Sequence, residues 1–159
     1  MIATGERLVT AMSTQVRISI DSFHHHVLSG RIFNAYFDTE VAFDNEMELL
    51  RKLEGLFDTL SFPQRFQEYR HFSKVARASK PSVERVRKTM SDMHGDSKAT
   101  FVVHVQFRRN ATWQGTIQWV DGKKRQSFRS TLEMIRLMDE AMEETCGEPR
   151  IDWEMDEAQ

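Results

Sequence analysis

Two stretches of this chain, offset by 85 positions, carry the same succession of hydrophobic periods. The clearer copy runs from Asn110 to Met142, NATWQGTIQWVDGKKRQSFRSTLEMIRLMDEAM. In it Trp113, Gly115, Ile117 and Trp119 alternate with Gln114, Thr116 and Gln118, which is the period of a half-buried strand. Asp121-Gly122 marks a two-residue hairpin, because a type I′ turn requires positive φ and this pair tolerates it. Lys123 to Phe128 returns as the next strand. Ser130, with Glu133 three residues on, reads as a capping box. Leu132, Met134, Ile135, Met138, Ala141 and Met142 then recur at helical spacing, and Gly147 and Pro149 end the helix.

The same order is visible near the N-terminus. Val16, Ile18 and Ile20 alternate with Arg17, Ser19 and Asp21. Phe23 to His26 is a polar break, Val27 to Tyr36 a second strand, and Thr39 to Phe43 a third. Asp44 is the expected N-cap of a helix whose stripe is Met47, Leu49, Leu50, Leu53, Leu56 and Phe57. Before the clearer copy, Phe101, Val103, Val105 and Phe107 face one way, and Val102, His104 and Gln106 the other. At the 85-residue offset Gly30 meets Gly115, Ile32 meets Ile117, Phe43 meets Phe128, Glu48 meets Glu133 and Arg51 meets Arg136. The expectation is an α+β fold of two tandem βββα units, each a three-stranded antiparallel meander with one helix. The units pack together, either as one six-stranded sheet or as two sheets with their helices apposed. The boundaries are an extension over 1–11, a first unit over 12–62, a basic helical connector over 63–98, a second unit over 99–147 and an acidic tail over 148–159.

Phe62, at the end of the first unit, and Phe66, Tyr69 and Phe72 of the connector are spaced by four, three and three, which suits a helix face or a tight wrap over a core; a polar linker comes next. A helix follows, opened by Pro81 and striped by Val83, Val86, Met90 and Met93. Basic residues dominate from Arg65 to Lys98 and acidic ones from Asp139 onward, while the whole-chain charge is -2. Whole-chain charge therefore names no partner. Hydrophobic residues are 40% and charged residues 29% of the 159, which is the composition of a folded chain. Cys146 is the only cysteine, which excludes an internal disulfide and a cysteine metal cluster. Glu6 and Arg7 interrupt the only mildly apolar stretch near the start, so neither a signal sequence nor a membrane span is expected, and the expected compartment is the cytoplasm.

The Trp113-Gln114-Gly115 strand and the Phe128-Arg129-Ser130 helix start resemble the C-terminal half of a group of small, uncharacterised proteins from anaerobic Gram-positive bacteria. Ser61 to Phe66, SFPQRF, and the strand from Val16 to Asp21 resemble their N-terminal half. The resemblance implies a bacterial or mobile-element origin. It brings no activity and no site residue.

Candidate sites are few. His24 and His26 are spaced to begin a zinc site, but no third ligand is evident, so neither a metal nor a cofactor is expected. His104 has no carboxylate or nucleophile placed beside it. No phosphate loop, nucleophile elbow or calcium loop occurs, and Cys146 follows an acidic helix end that disfavours its thiolate. An enzyme is not expected. Trp113 and Trp119 share a face with Ile117 and are expected in the core. The opposite face offers Gln106, Gln114, Gln118 and Arg125, with His104, Thr116 and Ser127. The matching face of the first unit carries Val27, Phe33 and Phe37. This surface is the expected docking site for another protein. Two alternatives stand beside it. One is nucleic-acid binding through the basic connector with Arg108, Arg109 and Arg129. The other is a small-molecule sensor with a pocket between the units.

Overall fold

Val16, Ile18 and Ile20 lie directly across from Val103, Phe101 and Ala99, at the centre of a single sheet. The computed structural model describes residues 14–72 and 97–147. Within them the chain runs β1 (Gln15–His24), β2 (Val27–Asn34), β3 (Thr39–Phe43), α1 (Glu46–Leu60), β4 (Ala99–Phe107), β5 (Gln114–Trp119), β6 (Lys124–Phe128) and α2 (Thr131–Cys146). The strand order is β3-β2-β1-β4-β5-β6, and every neighbouring pair is antiparallel.

This corrects the expectation of two tandem βββα units, each a three-stranded meander with one helix. β1 and β4 hydrogen-bond to each other from Gln15↔His104 to Ile20↔Ala99, so one continuous six-stranded sheet carries both helices. The physical reason is edge burial. Isolated meanders would each expose a strand of strongly apolar inner residues along an unpaired edge. Pairing β1 with β4 satisfies both backbones and joins Val16, Ile18, Ile20, Phe101, Val103 and Val105 into one buried cluster.

Both helices cover the same face. α1 lies over β2 and β3, and α2 over β4, β5 and β6. Leu49, Leu53, Phe57 and Leu60 of α1 and Met134, Met138, Ala141 and Met142 of α2 are buried. Asn45, not Asp44, caps α1: its side chain accepts from the Glu48 N–H at 2.9 Å, and Glu48 reaches back to the Asp44 N–H at 3.2 Å. Ser130 caps α2 in the same reciprocal way, with Glu133 accepting from the Arg129 N–H. Each box satisfies N–H groups that helix geometry leaves without partners.

Bulges decide which residues point inward. Register shifts between Ile20 and Ser22 in β1, and between Val105 and Phe107 in β4. The extra residues are Asp21 and Gln106, and parity reverses beyond each. Phe107, expected inside, is therefore exposed opposite Gln114, and Arg108 turns in to 3% exposure. The β1–β2 turn places His25 and His26 at positive φ, 51° and 59°, the arrangement of a type I′ hairpin. The β5–β6 connection is not the two-residue Asp121-Gly122 turn. It runs through Val120–Lys123, the Lys123 N–H donates to the Val120 carbonyl at 3.2 Å, and Lys123 takes the left-handed conformation. Gly122 is needed for space, since a Cβ there would lie 2.3 Å from the Trp119 ring.

The expected helix after Pro81, the acidic tail 148–159 and the extension 1–11 fall outside the described residues, as does most of the connector. Its first part, residues 63–72, wraps the end of β4: Arg65 bridges Arg108, and the Phe66 N–H donates to the Arg108 carbonyl.

Candidate functional site

Among the described residues, no element covers the second face of the sheet. Its residues stand in rows that cross the strands. One row runs Glu40–Phe33–Arg17–Val102–Gln118–Arg125, one residue from each strand in order β3 to β6. At ordinary strand spacing it spans ~24 Å. The next row towards the β4–β5 end of the sheet is Gln15–His104–Thr116–Ser127. Arg17 lies over the Phe33 ring, 5.0 Å from its centroid. Arg31, in a third row, is held by Asp21 at 3.0 Å and Glu40 at 3.4 Å. Its pKa is raised, chiefly by the Asp21 hydrogen bond, so it stays cationic. Neither Arg17 nor Arg125 forms an ion pair among the described residues. Nε2 of His104 is buried there without a hydrogen-bond partner, as is the indole nitrogen of Trp119 on the other face.

The expected docking residues separate into three kinds. Gln118 and Arg125 are direct cross-strand partners on the open face. Gln106 is the exposed bulge residue. Gln114 is a latch: its amide accepts from the Arg109 N–H at 3.0 Å and donates to the carbonyls of Arg109 and Arg129. Arg109 stacks on Phe107 at 4.5 Å and Phe66 at 5.0 Å. Arg129 is exposed but bound to Glu133 at 2.9 Å.

Arg108 is not a surface cation. Its Nη1 donates to Glu54 at 3.0 Å and to Asp58 at 2.8 Å, and its Nε donates to the Pro63 carbonyl at 2.7 Å. Glu54 also accepts from the Trp113 indole N–H at 2.7 Å and from the Tyr69 hydroxyl at 2.9 Å. Arg65 closes the network on Asp58 at 2.6 Å. Burial pushes the Asp58 carboxyl up, but the hydrogen bonds from Arg108 and Arg65 outweigh it and hold the group below its ordinary value. Burial, then Glu54, pushes the Tyr69 hydroxyl up to about 12. These shifts belong to a structural clamp that ties residues 63–72 and α1 to the end of β4.

His24 and His26 do not converge. His24 is exposed at the end of β1, where Phe23 points into the core. His26 turns towards α2 instead. Its ring meets Phe23 edge-on at 5.4 Å, and its Nδ1 lies 3.1 Å from Asp139 and 3.8 Å from Glu143. These groups line a groove of about 530 Å³ with Glu133, Arg136, Leu137 and Glu140. Sequence reasoning missed Asp139 and Glu143 as partners of His26, and Arg17 as a member of the open-face row. The signal for the first lay in the offset: Glu54 and Asp58 face Arg108 from α1, and Asp139 and Glu143 stand 85 positions on.

No family model, curated protein or solved structure matches the chain. Among the described residues, no helix is long and apolar enough to cross a membrane.

Proposed function

We propose that this chain is a non-enzymatic docking module that binds another protein on the open face of its sheet. The observation that supports this reading is the row Phe33–Arg17–Val102–Gln118–Arg125. It combines an aromatic–cation pair, an aliphatic residue, an amide and a second cation on rigid strands. Arg and aromatic residues are the side chains that most often dominate binding energy, and rigid strands reduce the ordering cost of association. Two cations outside ion pairs suit a partner surface carrying carboxylates.

We further infer a duplicated scaffold. The left-handed residues His25, His26 and Asp38 recur at Asn110, Ala111 and Lys123, and the helix caps Asn45 and Ser130 share the same offset. A cytoplasmic inhibitor or accessory protein of bacterial or mobile-element origin fits this reading. The nucleic-acid alternative loses Arg108 to its internal clamp, and Arg129 is committed to Glu133.

The test is a pair of variants, Arg17→Glu with Arg125→Glu, and Leu132→Glu on the helical side, each used as bait in host extract. Loss of a specific protein with the first pair and retention with the second supports docking on the sheet. Recovery of nucleic acid with a steep salt dependence would favour the alternative.

A further inference from the structure

We propose that His26, Asp139 and Glu143 form a binding site for a divalent transition-metal ion such as zinc. The three side chains each offer one ligand atom, and these atoms lie within 4.8 Å of one another. Two ligands held about 2.1 Å from a tetrahedral ion stand about 3.4 Å apart. The separations from Nδ1 of His26 to Asp139 and Glu143, 3.1 and 3.8 Å, bracket that edge. Asp139 and Glu143 are four apart on α2, so both project from one face of a rigid helix. The imidazole is held by the left-handed turn and by the edge of Phe23. One nitrogen and two carboxylate oxygens suit a borderline ion, and the solvent-open groove leaves room for a water ligand.

A second observation comes from α1. The pair Glu54 and Asp58, 85 positions before Asp139 and Glu143, brackets a cation: Nη1 of Arg108 sits 3.0 and 2.8 Å from them. The residue 85 positions before Arg108 is Phe23, which brings no charge. At the α2 pair the protein supplies an imidazole in place of a guanidinium. A metal ion held by that imidazole would fill the role the arginine fills on α1. It would staple the β1–β2 turn to α2, and so the first three strands to the second helix.

The experiment titrates zinc chloride into the full chain, previously stripped with chelator, followed by calorimetry and thermal unfolding. One ion per chain is expected, with the melting temperature raised by roughly 5–10 °C at free zinc a hundred times the dissociation constant. Cobalt should give the intense visible bands of a four-coordinate ion. Asp139→Asn with Glu143→Gln should weaken binding by about 100-fold or more, and His26→Gln should do likewise. His24→Gln with His25→Gln should leave it unchanged, which separates the site from adventitious capture by exposed histidines. The proposal is overturned if the folded wild-type chain shows no saturable binding. It is equally overturned if binding survives the carboxylate variant or disappears with His24 and His25.

Discussion

Phe23 of β1 and Arg108, the residue that follows β4, stand in the same relation to a bulge: each comes two residues after the extra residue, and each is buried, at 1% and 3% exposure. The backbone asks only that this side chain turn inward. What it meets there differs. Phe23 meets the His26 ring, and Arg108 meets two carboxylates and a carbonyl.

Replacing Arg108 should therefore be costly. Arg108→Ala strips the cation from Glu54 and Asp58 and leaves the Pro63 carbonyl unmatched. Breaking a buried ion pair costs about 3–5 kcal/mol, and the partial exposure of Asp58 places the expectation near the lower end. Arg108→Lys should recover only part, because one ammonium cannot serve three acceptors as a guanidinium does. Urea unfolding measures both, and a loss under about 1 kcal/mol for Arg108→Ala would contradict the clamp.

Acid should weaken the same clamp. The Asp58 carboxyl is held below its ordinary value, so the unfolded chain takes up its proton first. The stabilisation is complete at neutral pH, above the unfolded value, and is lost as pH falls through the folded one. Asp58→Asn should flatten the acid limb of a stability–pH curve. An unchanged limb would remove Asp58 from the explanation.

At high pH the sign reverses. Tyr69 is pushed up to about 12, so the fold favours the neutral phenol. Its contribution is present below the unfolded value and is lost as pH rises through about 12. In a Tyr36→Phe chain, phenolate absorbance should appear only at that alkaline extreme. Substituting Glu54 by Gln should lower the midpoint, since Glu54 is the principal charge opposing ionisation.

Gly30 and Gly115 each lie opposite the residue that precedes a bulge in the neighbouring antiparallel strand. A Cβ at Gly30 would lie 1.9 Å from the Ser19 carbonyl oxygen, and one at Gly115 2.0 Å from that of His104. Backbone atoms cannot rotate away, so each alanine substitution should destabilise by about 1–3 kcal/mol. Chemical denaturation of the two single variants should show similar losses. A neutral result at either position would contradict the packing described.

Much of the fold was legible because its strands alternate cleanly. β3 starts and ends where expected, at Thr39 and Phe43, and the capping box at Ser130 and Glu133 was readable from spacing alone. What escaped was geometry without a local pattern. The bulge at Gln106 exchanges the roles of Phe107 and Arg108, and no residue type announces it. Asp121-Gly122 looked like a tight turn, but Trp119 needs Gly122 for room and Lys123 takes the left-handed position. Asp44 and Asn45 are both good caps, and only the helix axis selects between them. The pairing of β1 with β4, and of His26 with Asp139, joins residues far apart in sequence, which periodicity cannot register.

Docking through the open sheet face is tested most directly by site-specific photocrosslinking in the native host. A photoreactive phenylalanine analogue would replace Gln118, exposed in the cross-strand row of the open face, or, separately, Leu132, which is 68% exposed on the helical side. The expected result is a discrete protein adduct from position 118 and none from position 132. Adducts from position 132 alone, or nucleic acid as the crosslinked species at position 118, would contradict it.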